Sequence, residues 1–312
     1  MAVLYGSIRQ LIHCPVPKMT NQTKAYFYAA VTILLWSTVA TAFKIALREL
    51  DFVQFLFVAA LSSTVALWVI ALLTKPTQQI LKPSFAELRS SALMGLLNPL
   101  IYYLVLFKAY DLLPAQEAQP LNWTWPIVLS VMSALFLKQK LGWQGIVAVV
   151  LSFFGVLIIS THGNPFTLRL SNPIGDLLAV GSSLVWATYW IMNLKDQRDP
   201  VVKLSWSFLF GTAYSVVVLL VFSSFPLKLS SSLIAGTYVG VVEMGIAFVF
   251  WLKALSLAER TSTVAIFAYL TPFISLIFIS SVLGEKILAS SVLGLILIVV
   301  GILIQMTSRK SK

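Results

Sequence analysis

The sequence predicts an all-α membrane protein of ten transmembrane helices, arranged as two inverted five-helix repeats. Three observations predict it: a composition too apolar for a water-facing surface, ten apolar runs of spanning length, and short motifs that return about 150 residues later. The 312 residues are 59% hydrophobic and only 11% charged, with a mean hydropathy of +0.91. A soluble domain carries roughly a quarter charged residues, so most of this surface must face lipid. The net charge of +11 does not point to nucleic acid, because the basic residues sit scattered at helix ends rather than on one face. The single cysteine, Cys14, leaves no disulfide framework and no metal-type cysteine spacing.

The apolar runs fall at roughly 25–45, 52–73, 90–108, 114–137, 143–161, 174–194, 201–222, 232–252, 261–283 and 288–306. Each approaches the roughly 20 residues that one helix needs to cross the hydrocarbon. Between them lie breaking or charged signals: Lys75-Pro76, Lys138-Gln139-Lys140, Asn164-Pro165, Asn172-Pro173, Asp199-Pro200 and Gly284-Glu285-Lys286. Residues 1–24 read as a cytoplasmic tail, since no long apolar core there precedes a small-residue cleavage site. Met19 is expected to be the natural start, with residues 1–18 an upstream extension.

Counting Lys and Arg sets the orientation. With the N-terminus inside, sixteen basic residues fall on the inner side and six on the outer, the bias expected of cytoplasmic loops. An even number of spans returns the tail at 307–312 to the same side. The expected location is therefore the cell inner membrane, multi-pass, with both termini cytoplasmic.

The repeat is legible in short strings. Leu35-Trp36-Ser37-Thr38 returns as Val185-Trp186-Ala187-Thr188, and Gly95 with Lys108-Ala109 returns as Gly240 with Lys253-Ala254. Pro126, Lys140 and Gly155 return as Pro272, Lys286 and Gly301. The units run over 25–163 and 172–306. Five helices per unit is an odd number, so the second unit enters the membrane upside down. Inverted repeats of this kind place a solute site near mid-membrane at their interface.

Little here could build an enzyme. His13 and His162 are the only histidines, and no phosphate-binding glycine loop occurs; no catalytic residue, cofactor or metal is expected. Glu243 is the acid that sits firmly mid-helix. A charge at bilayer centre costs about 2.5–3.5 kcal/mol on insertion scales and usually faces a wet cavity. Its repeat counterpart is Asn98, so both are expected at the pseudo-symmetry axis, either in that cavity or as structural hydrogen-bonding glue. The fourth helix carries a stripe of Gln119, Asn122, Trp123, Pro126, Ser130 and Ser133, with Tyr269 and Pro272 at matching places in the ninth. The sixth adds Ser182, Trp186, Tyr189 and Asn193, and the third Tyr102 and Tyr103. Rings with polar tips suit a pocket for an amphipathic or aromatic solute. The candidate solute-binding set is Asn98, Tyr102, Gln119, Asn122, Trp123, Trp186, Tyr189, Glu243 and Tyr269. Trp68 and Trp251 are expected in the interfacial aromatic belt. Lys44 either snorkels or, sharing a stripe with Ser37 and Thr41, meets a solute carboxylate.

The five-plus-five duplication, Tyr269-Leu270-Thr271-Pro272, Gly284-Glu285-Lys286 and the closing Gly294 and Gly301 resemble the drug/metabolite transporter superfamily with EamA-type repeats. The resemblance covers about residues 25–306. It implies ten helices, alternating access, and a central cavity lined by the third, fourth, eighth and ninth helices. Within that superfamily, Asn122-Trp123-Thr124-Trp125-Pro126 is similar to the Asn-Tyr-Leu-Trp-Pro run of bacterial aromatic amino acid exporters. Gln116-Glu117-Ala118-Gln119 fits as well, and Phe57-Val58-Ala59-Ala60 lacks an arginine that many relatives carry there. Trp123 stands where that run has Tyr, and Lys138-Gln139-Lys140 where many relatives have Gly-Glu. The implied function is export of small metabolites, amino acids with aromatic or apolar side chains first. A nucleotide sugar, polyamine or drug-like cation is the alternative cargo, and a non-transporting subunit the remoter one. The partners are a small solute and the bilayer, with no nucleic acid, in a monomer or weak homodimer.

Overall fold

A computed structural model describes residues 20–136, 142–164, 172–193, 196–226, 228–258 and 267–308. Lys138, Gln139, Lys140 and most of both terminal tails lie outside them. Among the described residues the regular structure is helical. In chain order the long elements are α1 (Asn21–Ala46), α2 (Phe52–Thr74), α3 (Phe85–Leu112), α4 in two pieces (Ala115–Asn122 and Trp125–Phe136), α5 (Trp143–Ser160), α6 (Pro173–Asn193), α7 (Pro200–Phe222), α8 (Ser231–Leu257), α9 (Ala268–Leu283) and α10 (Ala289–Ser308). Seven of these, α1 to α3 and α5 to α8, are long and apolar enough to cross a membrane. The helices α9 and α10 are shorter apolar stretches.

Local chemistry starts the helices where the polar breaks sit. Asp51 caps α2 through the amides of Val53 and Gln54, and Gln54 answers to the Asp51 amide. Ser84 and Glu87 form the same reciprocal box on α3. Asp199 caps α7 with Pro200 directly behind it. Each cap satisfies amides that have no carbonyl partner in the first turn.

Two helices lose regular pitch midway, at matching places. In α3 the helix is kinked within Leu96–Ile101, where Asn98 leaves helical geometry at φ −143°, ψ 116°. Pro99 explains the break: its ring disfavours helical geometry in the preceding residue and it donates no amide hydrogen. In α8 the π-helical stretch is Val239–Ala247, with Glu243 at its centre. The two stretches and their central polar residues are 145 positions apart.

The same offset recurs in the packing. Gly95 of α3 lies so close to α7 that a Cβ there would overlap the Ser207 carbonyl oxygen. Gly240 of α8 lies equally close to α2, where a Cβ would overlap the Ala59 carbonyl oxygen and Ser62 Oγ. Ser62 and Ser207 are themselves 145 apart. Between α2 and α7, Thr64 Oγ1 and Thr212 Oγ1 are 2.8 Å apart, and Trp68 Nε1 donates to the Ser205 carbonyl at 3.1 Å. Trp68 also packs edge-on against Trp206. This corrects its expected place in a lipid-facing belt: the backbone carbonyl gives the indole a better partner between helices than the interface would.

Each end of the bundle is tied by polar groups. At one end Glu285 accepts from the amides of Ala115 (3.0 Å) and Gln116 (3.2 Å), capping α4 from the α9–α10 turn. Gln116 returns the contact: its Nε2 donates to the Lys286 carbonyl at 2.9 Å, and its Oε1 accepts from the Leu288 amide at 2.8 Å. Lys44 spends its ammonium on the carbonyls of Tyr110 (2.8 Å) and Leu113 (3.1 Å), closing the C-terminus of α3. That is neither of the roles its stripe suggested. At the other end Arg198 joins Asp196 to Ser91 of α3 (Nη2 to Oγ 2.9 Å). Burial alone would raise the Asp196 carboxyl, but hydrogen bonds from Arg198 and its charge outweigh it and hold the group below its ordinary value.

These close approaches give a stability prediction. Gly95→Ala and Gly240→Ala should each destabilise the detergent-solubilised protein by roughly 1–3 kcal/mol, the usual cost of overpacking. Gly181→Ala on α6, with open space where its Cβ would go, should be neutral or gain up to about 1 kcal/mol from helix propensity. Thermal melting of the three variants is the measurement.

Candidate functional site

Segments of α1, α3, α4, α6, α8 and α9 surround one cavity. Eleven of its nineteen lining residues carry aromatic rings. Glu243 is the only Asp, Glu, Lys, Arg or His among the described lining.

The α3 and α6 wall is a stack of rings. Tyr102 lies over Trp186 with centroids 4.6 Å apart and planes 29° off parallel, and Trp186 continues to Tyr189 at 5.6 Å and 24°. Opposite, Trp123 meets Tyr269 edge-on at 6.3 Å. Trp36 of α1 and Trp251 of α8 pack together at 5.3 Å and also line the space. Trp251 is 7% exposed, which corrects its expected place in the belt. It sits far enough along α8 for a belt, but on the side of the helix that packs against α1.

The α4 break presents Asn122 and Trp123 to the cavity. Ser183 Oγ donates to the Asn122 carbonyl at 2.9 Å, and Thr124 Oγ1 lies 3.1 Å from Ser183 Oγ, so α6 hydroxyls serve the interrupted backbone. The Asn122 amide donates to Ser182 Oγ at 2.8 Å, and Tyr102 Oη donates to its carbonyl oxygen at 3.4 Å. Tyr103 Oη donates to Glu243 Oε1 at 3.1 Å, while Glu243 Oε2, also buried, has no hydrogen-bond partner among the described groups.

Of the nine residues singled out in the sequence, Tyr102, Gln119, Asn122, Trp123, Trp186, Glu243 and Tyr269 meet at this cavity. Two do not line it. Asn98 is fully buried and faces the Tyr189 hydroxyl, and Tyr189 stands behind Trp186. The side chains of Ser130 and Ser133 lie outside the described part. Trp36 was missed as a site residue, although its signal was present: Trp36-Ser37-Thr38 is the repeat counterpart of Trp186-Ala187-Thr188. Also missed was the pair at the start of α4, where His162 Nε2 lies 2.8 Å from Glu117 Oε1 and the Glu117 side chain is 2% exposed. Nothing in the local strings brings a residue after α5 onto the start of α4.

The EamA-like transporter family matches residues 23–161 and again 173–307. A protein described as an uncharacterized transporter from Archaeoglobus fulgidus is 26% identical over 290 residues, spanning 90% of this chain and 96% of its own. The uncharacterized transporter YvbV of Bacillus subtilis is 28% identical, over 70% of this chain and 72% of its own. The aromatic amino acid exporter YddG of Ancylobacter novellus is 22% identical, over 48% of this chain and 53% of its own. A solved structure titled only as a crystal structure of protein aligns with a TM-score of 0.66 at 19% identity, covering 92% of this chain and 98% of that one.

The difference between the two repeat-related polar residues is testable. With Cys14 replaced, a cysteine at 243 should react with a small aqueous thiol reagent, because Glu243 lines the cavity. A cysteine at 98 should react at least tenfold more slowly. Equal labelling rates would mean that the cavity reaches behind Tyr189.

Proposed function

Because the chain belongs to the EamA-like transporter family, we propose that it is a ten-span secondary transporter of the inner (cytoplasmic) membrane, exporting small metabolites with aromatic or apolar bodies. Amino acids of that kind are the class that the Asn122-Trp123-Thr124-Trp125-Pro126 run suggests, and the likeness to an aromatic amino acid exporter supports it. The family and its relatives are transporters rather than enzymes, and the bilayer and a small solute are their setting. The observation that carries the reading is the ring-walled cavity, enclosed by segments of both halves of the chain.

The arrangement as two inverted five-helix units, 25–163 and 172–306, accounts for the pairings at constant offset. Gly95 against Ser207 and Gly240 against Ser62 are the same contact made with the roles of the units exchanged. The sixteen-to-six distribution of basic residues puts both termini on the cytoplasmic side. The Glu285 and Gln116 cross-caps then face outward and the Arg198 network inward. Each ties helices together at one end of the cavity, as a carrier with alternating access requires. Loosening one end while the other holds exposes the ring stack to one side at a time.

Two measurements test this. A reporter active only outside the cytoplasmic membrane, fused after Lys312, should stay silent; strong activity would overturn the orientation. In liposomes, Trp123→Leu and Trp186→Leu should weaken the apparent affinity for an aromatic cargo by roughly two- to tenfold, since a ring pair contributes about 0.5–1.5 kcal/mol beyond burial. The loss should be smaller for an aliphatic cargo of similar size. Trp143→Leu, at a position 71% exposed, is the control and should change neither. Equal losses across cargoes would mean that the rings are packing alone.

A further inference from the structure

The cavity's shape and its charge make separate demands on a cargo. The rings accept any flat apolar body, but the charges do not suit every head group. Among the described lining residues the single ionisable group able to carry charge at neutral pH is Glu243, and no Lys, Arg or His accompanies it. The nearest candidate cation along α1, Lys44, is committed to the carbonyls of Tyr110 and Leu113 and is not in the wall.

We propose, resting on the transporter reading above but replacing its amino acid cargo, that this site selects cargo with a single positive head group and no carboxylate: an aromatic amine or other organic monocation in preference to the corresponding amino acid. Three observations converge on that. Glu243 Oε1 is held by the Tyr103 hydroxyl, so Oε2 is the oxygen left for a ligand, and it is buried without a partner among the described groups. Tyr103 touches it, and Tyr102 and Phe248 line the same cavity; ring faces attract a cation, the more so when water is displaced. A carboxylate entering the same space would meet neutral donors only. The Asn122 amide is already engaged with Ser182 and Tyr102, and an ionised carboxylate without a cationic partner is costly to bury. An ionised Glu243 adds repulsion to that cost. A zwitterion therefore satisfies half of its charge here, and an amine satisfies all of it.

The full-length purified protein in detergent, titrated calorimetrically with matched pairs, is the test. The pairs are tryptamine against tryptophan and phenethylamine against phenylalanine. Each amine should bind at least tenfold more tightly than its amino acid, and Glu243→Gln should remove that preference. Exchange of benzyltrimethylammonium, whose fixed charge prevents passive leak, should proceed in liposomes and be lost in Glu243→Gln. Amino acids that bind as well as or better than their amines would overturn the inference and leave the transporter reading standing. Binding and exchange of neither class would overturn both. The comparison of pairs on the unaltered protein decides the point even if Glu243→Gln does not fold.

Discussion

The bilayer core has no water with which to satisfy a free amide or carbonyl, and everything else in this structure follows from that constraint. A backbone that must pair with itself has to be helical wherever it meets lipid. The interruptions are then the informative places. Pro99 breaks α3, the Trp123–Thr124 step breaks α4, and α8 widens around Glu243. The α3 break packs on α6 and α7, the α4 break on α6, and the widened part of α8 on α2. The hydroxyls of α6 serve the α4 break, so the cost of that interruption is met inside the protein. A cavity forms where helices cannot be regular, and regular helices surround it.

Much of this was legible in the sequence, because lipid imposes a one-dimensional rule. Runs of apolar residues, the polar breaks between them and the recurring glycines give helix ends within a few residues, and the returning strings give the duplication. The site was also largely legible. A stripe holding Gln119, Asn122 and Trp123 is too polar to face lipid, and Glu243 too costly to bury without purpose. What failed were decisions about facing. Trp68 and Trp251 sit where a belt would be, but a period along a helix does not say which neighbour its face meets. Glu117 and His162 come together from separate helices, and no local string encodes such a contact. Asn98 was placed with Glu243 by symmetry alone, yet Pro99 turns its backbone extended and takes its side chain out of the wall.

That last divergence shows how far duplication has been relaxed. The scaffold keeps its symmetry in the close contacts at Gly95 and Gly240, because two backbones at that separation exclude any side chain whichever unit supplies it. The centre has no such restraint. One unit places a carboxylate at the cavity wall, and the other places a neutral amide behind a tyrosine. A pair of carboxylates at equivalent depth would repel across a low-dielectric space. One acid and one amide keep the helix geometry while leaving a single negative group for the solute to meet.

The end held by Gln116 and Glu285 uses polar groups in a different way from the centre, and from the other end, where Asp199 pairs with Lys75 and Asp196 with Arg198. Gln116 and Glu285 bind backbone amides and carbonyls of each other's helices rather than opposite charges. Hydrogen bonds of this type can be exchanged for water at a membrane surface at modest net cost, about 0.5–1.5 kcal/mol for each neutral one and about 1.5–3 kcal/mol for those to the Glu285 carboxylate. A buried ion pair in the same position would be far costlier to separate. At mid-membrane water is excluded and the same exchange is not available, so the stacked rings and glycine contacts there remain in place. The ring stack and the glycine contacts are thus the firm part of the molecule, and the Gln116–Glu285 ties are the more readily separated.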